Sequence, residues 1–341
     1  MLRTGRTLWH DEVLMYIVTG GAGFIGSAMI WRLNQAGITD ILVVDNLGST
    51  EKWKNLVNRR YARYVHRDSF LEMLRGDTLG CRVDAVLHMG ACSSTTEKNA
   101  DFLMANNTAY TTELCRFALN HDARFINASS ASTYGDGSQG FADCAEVTRR
   151  LKPLNMYGYS KHLFDLWLLD NKLDCNVASL KFFNVYGPNE YHKDDMRSVA
   201  CKAFHEIRGT GRLRLFKSTT PDYVDGGQMR DFVYVKDCVE LMFWLLQHPD
   251  VNGIFNVGTG KAQSWNDLAK AVFAALGKEP RIDYVDMPET LKGKYQNFTQ
   301  ADMGWLRGKN CPVRFTPVEE GIADYVGRYL SQDDPYLEMP A

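Results

Sequence analysis

The chain has 341 residues, of which 45% are hydrophobic and 23% are charged, and its formal net charge at pH 7 is −2. A chain of this length is expected to bury a large core and to form two lobes. The small net charge gives no electrostatic bias toward nucleic acid or a membrane surface. We therefore predict a small-molecule partner, with no nucleic acid and no membrane involved.

The spacing of the cysteines and histidines indicates whether the protein forms disulfides or binds a metal ion. The eight cysteines include no C-x-x-C pair and the eight histidines include no H-x-x-x-H pair. This pattern favours reduced thiols in the cytoplasm and predicts no metal site. Residues 1–14, MLRTGRTLWHDEVL, lack the features of a secretion signal or a transit peptide, so we interpret them as an extension that is expected to be disordered.

From Met15 onward, short apolar runs rich in β-branched residues alternate with helical stretches. A helix is predicted from about Ile25, and the runs are YIVTG, ILVVDN (41–46), VDAVLHMG (83–90) and RFINASS (124–130). Runs of this length separated by helices are typical of a parallel sheet that is buried on both faces. The sequence therefore predicts an α/β fold with a Rossmann-type doubly wound parallel sheet.

The second half of the chain continues this alternation less regularly. A helix runs from NMYGYSK through HLFDLWLLDN, the strand NVASLKFFNVYGP follows, and TTPDYVDGGQ is typical of an exposed loop. Strand and helix character return in DFVYVKDCVELMFWLL and GIFNVGTG, Ser264 is predicted to cap a helix, and a last helix is expected at about 317–330. We predict a nucleotide-binding domain from 15–184 and 231–262, and a smaller, mostly C-terminal substrate-binding lobe from 185–230 and 263–341.

The segment TGGAGFIGS (19–27) lies between the first predicted strand and the first predicted helix. In that context a glycine-rich turn brings the backbone close to a pyrophosphate, and the helix N-terminus supplies N–H donors. The glycines that would serve the turn, the close approach and the helix packing are Gly20, Gly23 and Gly26.

Asp45, at the end of the second strand, is the acidic residue that normally accepts hydrogen bonds from an adenosine ribose and favours NAD. Asn46, Lys52 and Arg67 follow shortly afterwards, and a lysine here would offset the repulsion of a 2′-phosphate. The residues alone leave NAD and NADP equally favoured.

Tyr157 and Lys161 are four positions apart and so share one helix face. A phenol with a pKa near ~10 is a poor base at neutral pH, but a nearby ammonium and the charge of a nicotinamide both favour the phenolate. Lys161 would also hold the nicotinamide ribose. Ser129 and Ser130 end the NASS strand and are expected to face the same cavity and to polarise the substrate oxygen.

This order of strand, glycine turn, serine and Y-x-x-x-K resembles the extended short-chain dehydrogenase/reductase family over essentially all of 15–330. Nucleotide-sugar dehydratases of that superfamily have an Asp-Glu pair where this chain has Ala131 and Ser132. Elimination is therefore disfavoured, which leaves epimerisation or simple reduction.

Several segments resemble the ADP-L-glycero-D-manno-heptose 6-epimerase family more closely: ILVVDNL, GACSSTTE (90–97), KPLNMYGYSK, FNVYGPNEYHK, RDFVYV and LKGKYQNFTQAD. The resemblance implies ADP-heptose as the substrate, an isomerase of lipopolysaccharide core precursor biosynthesis, tightly held NADP and a homo-oligomer, a pentamer in the family. It also implies a second catalytic base at Lys193.

Inversion at an exocyclic carbon explains why a second base is needed. After oxidation at C6, rotation about the C5–C6 bond presents the other face of the ketone, but the carbonyl oxygen then points elsewhere. Tyr157 would serve one orientation and Lys193 the other, in opposite acid and base roles. The alternative for Lys193 is a loop lysine that grips a phosphate or faces water.

The resemblance also implies two sets of contacts. The substrate set contains Ser129, Asn184, Asp195, Lys202, Phe216, Arg230 and Tyr295, with Arg230 on the ADP phosphates. The cofactor set adds Phe24, Ile25, Asn46, Lys52, Arg67, Met89, Gly90, Ala91, Cys92, Ser93, Asn106 and Val185.

Some positions depart from the family pattern. Met89 stands where the family has Glu, Asp195 where it has a small hydroxyl residue, and Lys202 where it has His, while the 218–229 loop is longer. These departures keep two alternatives open. One is another nucleotide-sugar epimerase or reductase, and the other is a non-catalytic NADP-binding protein, which would have little need of Tyr157 and Lys161.

Overall fold

The computed structural model describes residues 14–289 and 295–339. The predicted N-terminal extension, apart from residue 14, and the LKGK segment at 291–294 lie outside the described residues.

Twelve strands are found in the described ranges. They are β1 (Leu14–Thr19), β2 (Ile41–Asp45), β3 (Arg63–His66), β4 (Arg82–His88), β5 (Arg124–Ser130), β6 (Ala178–Phe182), β7 (Asn184–Tyr186), β8 (Leu213–Phe216), β9 (Met229–Tyr234), β10 (Gly253–Val257), β11 (Ala262–Ser264) and β12 (Ile282–Val285).

Seven of these strands form one parallel sheet in the order β10-β6-β5-β4-β1-β2-β3. The chain leaves β1 toward β2 and β3 on one side and then returns to β4, β5 and β6 on the other. The predicted doubly wound parallel sheet is confirmed. In such sheets the ligand crevice lies outside the carboxyl ends of the strands at this reversal.

Eleven α-helices connect the strands in the described part of the chain. They are α1 (Phe24–Gln35), α2 (Arg67–Arg75), α3 (Ala100–Leu103), α4 (Tyr110–Asn120), α5 (Ala145–Thr148), α6 (Met156–Asp170), α7 (Val199–Thr210), α8 (Val235–Gln247), α9 (Trp265–Ala275), α10 (Gly304–Gly308) and α11 (Val318–Tyr325). Tighter 3₁₀ turns occur at Glu51–Leu56, Ala131–Tyr134 and Tyr191–Met196, and wider π turns at Met104–Ala109 and Val326–Leu330.

The core lies on both faces of the large sheet because successive side chains of a strand point to opposite faces. On β1, Val18 joins a buried cluster that contains Ile30 of α1 and Met242 of α8. Its neighbour Ile17 joins a second cluster with Leu114 of α4. Continuous apolar strands such as ILVVD are therefore fully buried.

Two small sheets lie outside the large one. The first has the order β11-β9-β7, in which β9 pairs parallel with β7 and antiparallel with β11; the second pairs β12 parallel with β8. The predicted domain boundary at residue 231 falls within β9, and the division into two lobes stays a prediction.

The segment 189–230 is more regular than its composition indicates, because it contains α7 and β8. The buried residues of α7 are Ala200, Cys201, Ala203, Phe204 and Ile207, a helical spacing that lies among polar residues. The predicted loop at 219–228 contains no helix or strand.

Ser264 caps α9 as predicted. Its hydroxyl accepts a hydrogen bond from the Asp267 amide at 3.1 Å, and the Asp267 carboxylate accepts one from the Ser264 amide at 3.0 Å. Within the described residues, no helix has the length and apolarity that a membrane crossing requires.

Candidate active site

The turn between β1 and α1 is tightly closed by its glycines. Gly20 has φ +64°, and a Cβ atom there would lie 2.6 Å from the Gly90 Cα. A Cβ atom on Gly26 would lie 2.1 Å from the Gly20 carbonyl oxygen. Only glycine fits at these two positions, so the turn lies flat against the start of α1 and leaves the helix N-terminus open to the cavity.

Asp45 ends β2 next to this turn and is 7% exposed. One carboxylate oxygen accepts hydrogen bonds from the Ala22 amide at 2.9 Å, and the other accepts from the Asn46 amide and the Lys52 ammonium, both at 2.7 Å. The charge of Asp45 is therefore already balanced by a lysine at the point where an adenosine ribose would bind.

Two neighbouring cavities run along the carboxyl ends of the strands. The larger has a volume of about 640 Å³ and the smaller about 180 Å³, and they share Gly90, Ala91 and Cys92. The larger is lined by Gly20, Gly23, Phe24, Ile25, Gly26, Asp45, Lys52, Met89, Gly90, Ala91, Cys92, Ser93, Ser129, Ser130, Tyr157, Lys161, Asn184, Val185 and Lys193, all of which are predicted from the sequence. The smaller cavity adds the predicted residues Asn46, Arg67 and Asn106.

The smaller cavity has polar walls. The Arg67 guanidinium donates to the Asn106 side-chain oxygen and, at 2.9 Å, to the Asp68 carboxylate. Tyr110 also lines this cavity, but its hydroxyl is buried and has no hydrogen-bond partner among the described residues. An unpaired buried hydroxyl is costly unless a ligand group satisfies it.

Tyr157 lies on α6 in the larger cavity, where it hydrogen-bonds with the Ser130 hydroxyl. Burial raises the pKa of Tyr157, and the Ser130 hydrogen bond opposes this effect. Lys161 follows Tyr157 by one helical turn, and its ammonium donates to the Ala128 carbonyl oxygen at 2.7 Å. The effect of Lys161 on the pKa of Tyr157 stays a prediction. Burial lowers the pKa of Lys161 to about 8, and the charge of Asp165 opposes that shift.

Ser129 lines the larger cavity as predicted, but its hydroxyl is bonded within the protein, so its action on the substrate oxygen stays a prediction. Adjacent residues of β5 point to opposite faces, and the Ser129 hydroxyl donates to the Asp165 carboxylate at 2.7 Å. Ser130 is the serine whose hydroxyl lies with Tyr157.

Lys193 lies in the 3₁₀ turn at Tyr191–Met196 and lines the same cavity as Tyr157. Its ammonium nitrogen lies 5.5 Å from the centre of the Phe24 ring, at the start of α1. Burial lowers the pKa of Lys193, and the charge of Glu190 opposes this. The amine is thus not directed into bulk solvent, and it stands on a different element from Tyr157.

Five predicted substrate residues do not line the cavity, namely Asp195, Lys202, Phe216, Arg230 and Tyr295. The Lys202 ammonium donates to the backbone oxygen of Asp195 at 3.0 Å, and both residues are exposed. The substrate contacts that the resemblance implies for this pair stay a prediction.

Arg230 and Tyr295 lie just behind the cavity wall. The guanidinium carbon of Arg230 lies 5.5 Å from the centre of the Trp265 ring and 4.9 Å from the centre of the Tyr295 ring. The Trp265 indole N–H donates to the Tyr295 hydroxyl at 2.7 Å. Arg230 is 6% exposed, and Trp265, not Arg230, lines the cavity. Trp265 is missed from the sequence, although an aromatic side chain at the start of a capped helix could have indicated it.

His192 and Arg197 also line the larger cavity and are missed from the sequence. Burial, with Lys193 and Lys52 nearby, lowers the pKa of His192 to about 4. Both residues flank Lys193 in an irregular loop, where no periodic pattern indicates which side chains turn inward.

These residues fit a dinucleotide. The glycine turn has space only for backbone, the cavities continue from the turn past Asp45, and Arg67 lies at their far end. In the described ranges, no group of three or more His, Cys, Asp or Glu residues could hold a metal ion.

Comparison with known proteins gives consistent results. Residues 16–258 match the model of the NAD dependent epimerase/dehydratase family. The chain is 66% identical over 324 residues to ADP-L-glycero-D-manno-heptose-6-epimerase of Nitratidesulfovibrio vulgaris (strain Hildenborough), covering 95% of this chain and 100% of the relative. It is 45% identical over 332 residues to the protein of the same name from Fusobacterium nucleatum, again covering 95% and 100%.

A solved structure agrees with these relatives. The ADP-L-glycero-D-manno-heptose-6-epimerase of Helicobacter pylori superposes with a TM-score of 0.76 at 26% identity, covering 93% of this chain and 96% of that one. The family description names NAD dependence, so the cofactor is of the nicotinamide dinucleotide class. The chain belongs to the NAD dependent epimerase/dehydratase family and, within it, to the ADP-L-glycero-D-manno-heptose-6-epimerases.

Proposed function

We propose that the protein interconverts ADP-D-glycero-D-manno-heptose and ADP-L-glycero-D-manno-heptose by inverting C6, in lipopolysaccharide core precursor biosynthesis. The identity to the named relatives supports the substrate. One structural observation carries the mechanism: Tyr157 and Lys193, from different elements, line one cavity together with the glycine turn. Two separate proton carriers are what an inversion by rotation of an exocyclic ketone requires.

The bound nicotinamide supplies a hydride acceptor and donor for C6. In one substrate orientation, Tyr157 exchanges a proton with the oxygen on C6, with Ser130 bonded to the phenol. After rotation about the C5–C6 bond, Lys193 exchanges a proton with the same oxygen at its new position. When one residue takes a proton, the other gives one, and the roles reverse for the reverse reaction. Such acid and base assistance accelerates a reaction by ~10² to 10⁴.

Lys161 has a different role in this proposal. Its ammonium is fixed by the Ala128 carbonyl oxygen at 2.7 Å, one helical turn beyond Tyr157. From there it would hold the nicotinamide ribose and add positive charge near the phenol. Asn184 and Val185 line the other side of the cavity, where we place the sugar and the cofactor respectively.

The activity is tested by incubating the protein with ADP-D-glycero-D-manno-heptose and following the C6 proton by NMR. Tyr157→Phe and Lys193→Met are each expected to lose at least about 100-fold in turnover while retaining folded structure and bound cofactor. Lys270→Met, at an exposed position on α9, serves as the control for removal of a lysine. Unchanged turnover in either variant would remove that residue from its assigned role.

We also propose that the cofactor is NADP. Lys52 neutralises Asp45 at the ribose position, and Arg67 lies in the same cavity, which supports a bound 2′-phosphate. Lys52→Ala is expected to weaken NADP binding by about 10-fold or more and to change NAD binding less, because a hydrogen bond to a charged group contributes about 1.5 to 3 kcal/mol. The control is Lys54→Ala in the same 3₁₀ turn, and equal losses for both dinucleotides would contradict the assignment.

The resemblance also supports a cytoplasmic homo-oligomer, a pentamer by analogy with the family. Sedimentation equilibrium measures the number of subunits directly. The alternative of a different nucleotide sugar depended on Asp195 and Lys202. Since neither residue lines the cavity, the structure offers no support for that alternative from these positions. A non-catalytic NADP-binding protein would bind the cofactor but turn over no sugar nucleotide in the NMR assay.

A further inference from the structure

Glu190 is a buried carboxylate beside the turn that carries Lys193. It is 1% exposed. It accepts hydrogen bonds from the Ser198 amide, from the Ser198 hydroxyl at 2.7 Å, from the Gly187 amide at 3.3 Å and from the Tyr325 hydroxyl at 3.1 Å. One side chain thus joins the end of β7, the start of α7 and the end of α11.

These contacts close the loop that contains Lys193. Gly187 and Ser198 stand at the two ends of the segment 187–198, and both donate to the same carboxylate. Inside the loop, the Lys193 amide donates to the Glu190 carbonyl oxygen at 3.1 Å. Asp194 has φ +44°, an unfavourable backbone conformation for a residue with a side chain. The loop therefore keeps a strained shape that depends on its closure.

A buried carboxylate is costly unless it serves a need of the fold or the site. Serine alone would cap α7, since the Ser198 hydroxyl already accepts from the Cys201 amide at 3.1 Å. Capping therefore does not require the charge. The charge does act on Lys193, because it favours the ammonium form of a lysine whose burial favours the amine.

The titratable groups that face the pair come from several elements. Those facing Glu190 are Lys193 and Tyr191 of the loop, Cys201 of α7 and Tyr325 of α11. Those facing Lys193 are Glu190 and His192. Among them, Glu190 is the group whose negative charge opposes the neutralisation of Lys193.

We propose that Glu190 is a positioning residue, which closes the 187–198 loop so that the Lys193 amine faces the cavity. Its charge also favours the ammonium form of Lys193, the form that Lys193 needs when it acts as an acid. This inference rests on the proposed function, in which Lys193 exchanges protons with the substrate. Glu190 itself contacts neither substrate nor cofactor in this scheme.

The test measures Lys193 directly and needs no substrate. The full-length protein is labelled with a trace amine acylating reagent at a series of pH values, and mass spectrometry of the peptide that contains Lys193 gives the pH at which half of its maximal reactivity is reached. Glu190→Gln is expected to lower this midpoint by on the order of 1 pH unit, because a facing negative charge is lost. The matched control is Glu113→Gln, which removes a carboxylate paired with Arg75 far along the chain, on α4.

A second variant separates loop closure from charge. Glu190→Asp keeps the charge but withdraws the carboxylate by one methylene, so the midpoint should stay near that of the wild type while the maximal labelling rate rises as the loop opens. Turnover is expected to fall about 10-fold or more in both variants, with kcat affected more than KM. The Asp variant also provides a test if the Gln variant does not fold.

The outcomes are distinguishable. An unchanged midpoint in Glu190→Gln, or unchanged labelling and turnover in Glu190→Asp, would overturn the inference. If the midpoint shifts as expected but Lys193→Met still epimerises the sugar, the proposed function of Lys193 fails while the electrostatic role of Glu190 stands.

Discussion

Replacing Asp165 with asparagine should test the charge network that supports the site. Asp165 and Lys181 are both 0% exposed, and their carboxylate oxygen and ammonium nitrogen are 3.7 Å apart. Ser129 and Ser179 donate to the two oxygens at 2.7 and 2.9 Å. Asp165 lies one turn along α6 from Lys161, and its carboxylate favours the ammonium form of Lys161.

The expected loss follows from what remains after the substitution. At an effective dielectric constant of about 20, unit charges at this separation attract by about 4 kcal/mol. Asparagine keeps polar partners for the serines, but it leaves the Lys181 ammonium buried with the Thr148 hydroxyl at 3.4 Å and the Tyr134 ring at 4.6 Å. Removing one partner of a buried pair costs about 3 to 5 kcal/mol, so Asp165→Asn should lower the free energy of unfolding by that amount.

Urea unfolding followed by tryptophan fluorescence measures this change. The control is Asp170→Asn on the same helix, whose partner Arg149 is an exposed arginine, so stability should hardly change. The acylation assay should also show a lower midpoint for Lys161 in Asp165→Asn than in the wild type. If the free energy of unfolding falls by less than about 1 kcal/mol, close to the effect of an ordinary surface substitution, the claim that Asp165→Asn leaves a buried ammonium without its partner is refuted.

Two other predictions concern pH and the glycine turn. Burial raises the pKa of Asp143 to about 6, whereas the same carboxyl in the unfolded chain loses its proton near pH 4. The native state therefore binds this proton more tightly, which contributes about 3 kcal/mol to the free energy of unfolding at low pH. That contribution is lost as pH rises from about 4 to about 6. Asp143→Asn should remove it, so the difference in unfolding free energy between variant and wild type should change across that window; a constant difference would contradict the assignment. Gly26→Ala should abolish dinucleotide binding in calorimetry, because its Cβ would lie 2.1 Å from the Gly20 carbonyl oxygen. The control is Gly209→Ala on α7, where an added Cβ has no neighbour within 4 Å. This variant should keep dinucleotide binding and gain about 0.5 to 1 kcal/mol in the free energy of unfolding. Normal dinucleotide affinity in Gly26→Ala would show that the turn can relax.

The fold could be predicted because its signals are local. The run ILVVD is buried at every position because it lies inside a parallel sheet, and the glycine turn is short enough to be recognised within nine residues. The helix α7 was not predicted, although its buried residues Ala200, Ala203, Phe204 and Ile207 recur at helical spacing and could have indicated it.

The site was predicted less completely, since its side chains converge from distant parts of the chain. Tyr157 and Lys161 share a helix face and could be paired from spacing, but Lys193 entered only through a family resemblance. The bond from the Ser129 hydroxyl to Asp165 on α6 was not predicted, because no local pattern indicates that partner. Trp265 was missed for the same reason, as its position against the cavity depends on how α9 packs.

Burial shifts the pKa values of the two proposed proton carriers, Tyr157 and Lys193, in opposite directions, and this bears on reversibility. It raises the pKa of Tyr157 and lowers that of Lys193, so both effects favour a neutral phenol and a neutral amine. With a neutral amine and a neutral phenol, the reaction can start only in the direction in which Lys193 takes a proton from the substrate and Tyr157 gives one. The reverse direction needs a phenolate and an ammonium, which the Ser130 hydrogen bond and the Glu190 charge respectively favour. An enzyme that must invert either epimer therefore needs both kinds of influence in one cavity. Because the overall equilibrium fixes the ratio of kcat/KM for the two directions, a Glu190→Gln variant should slow both.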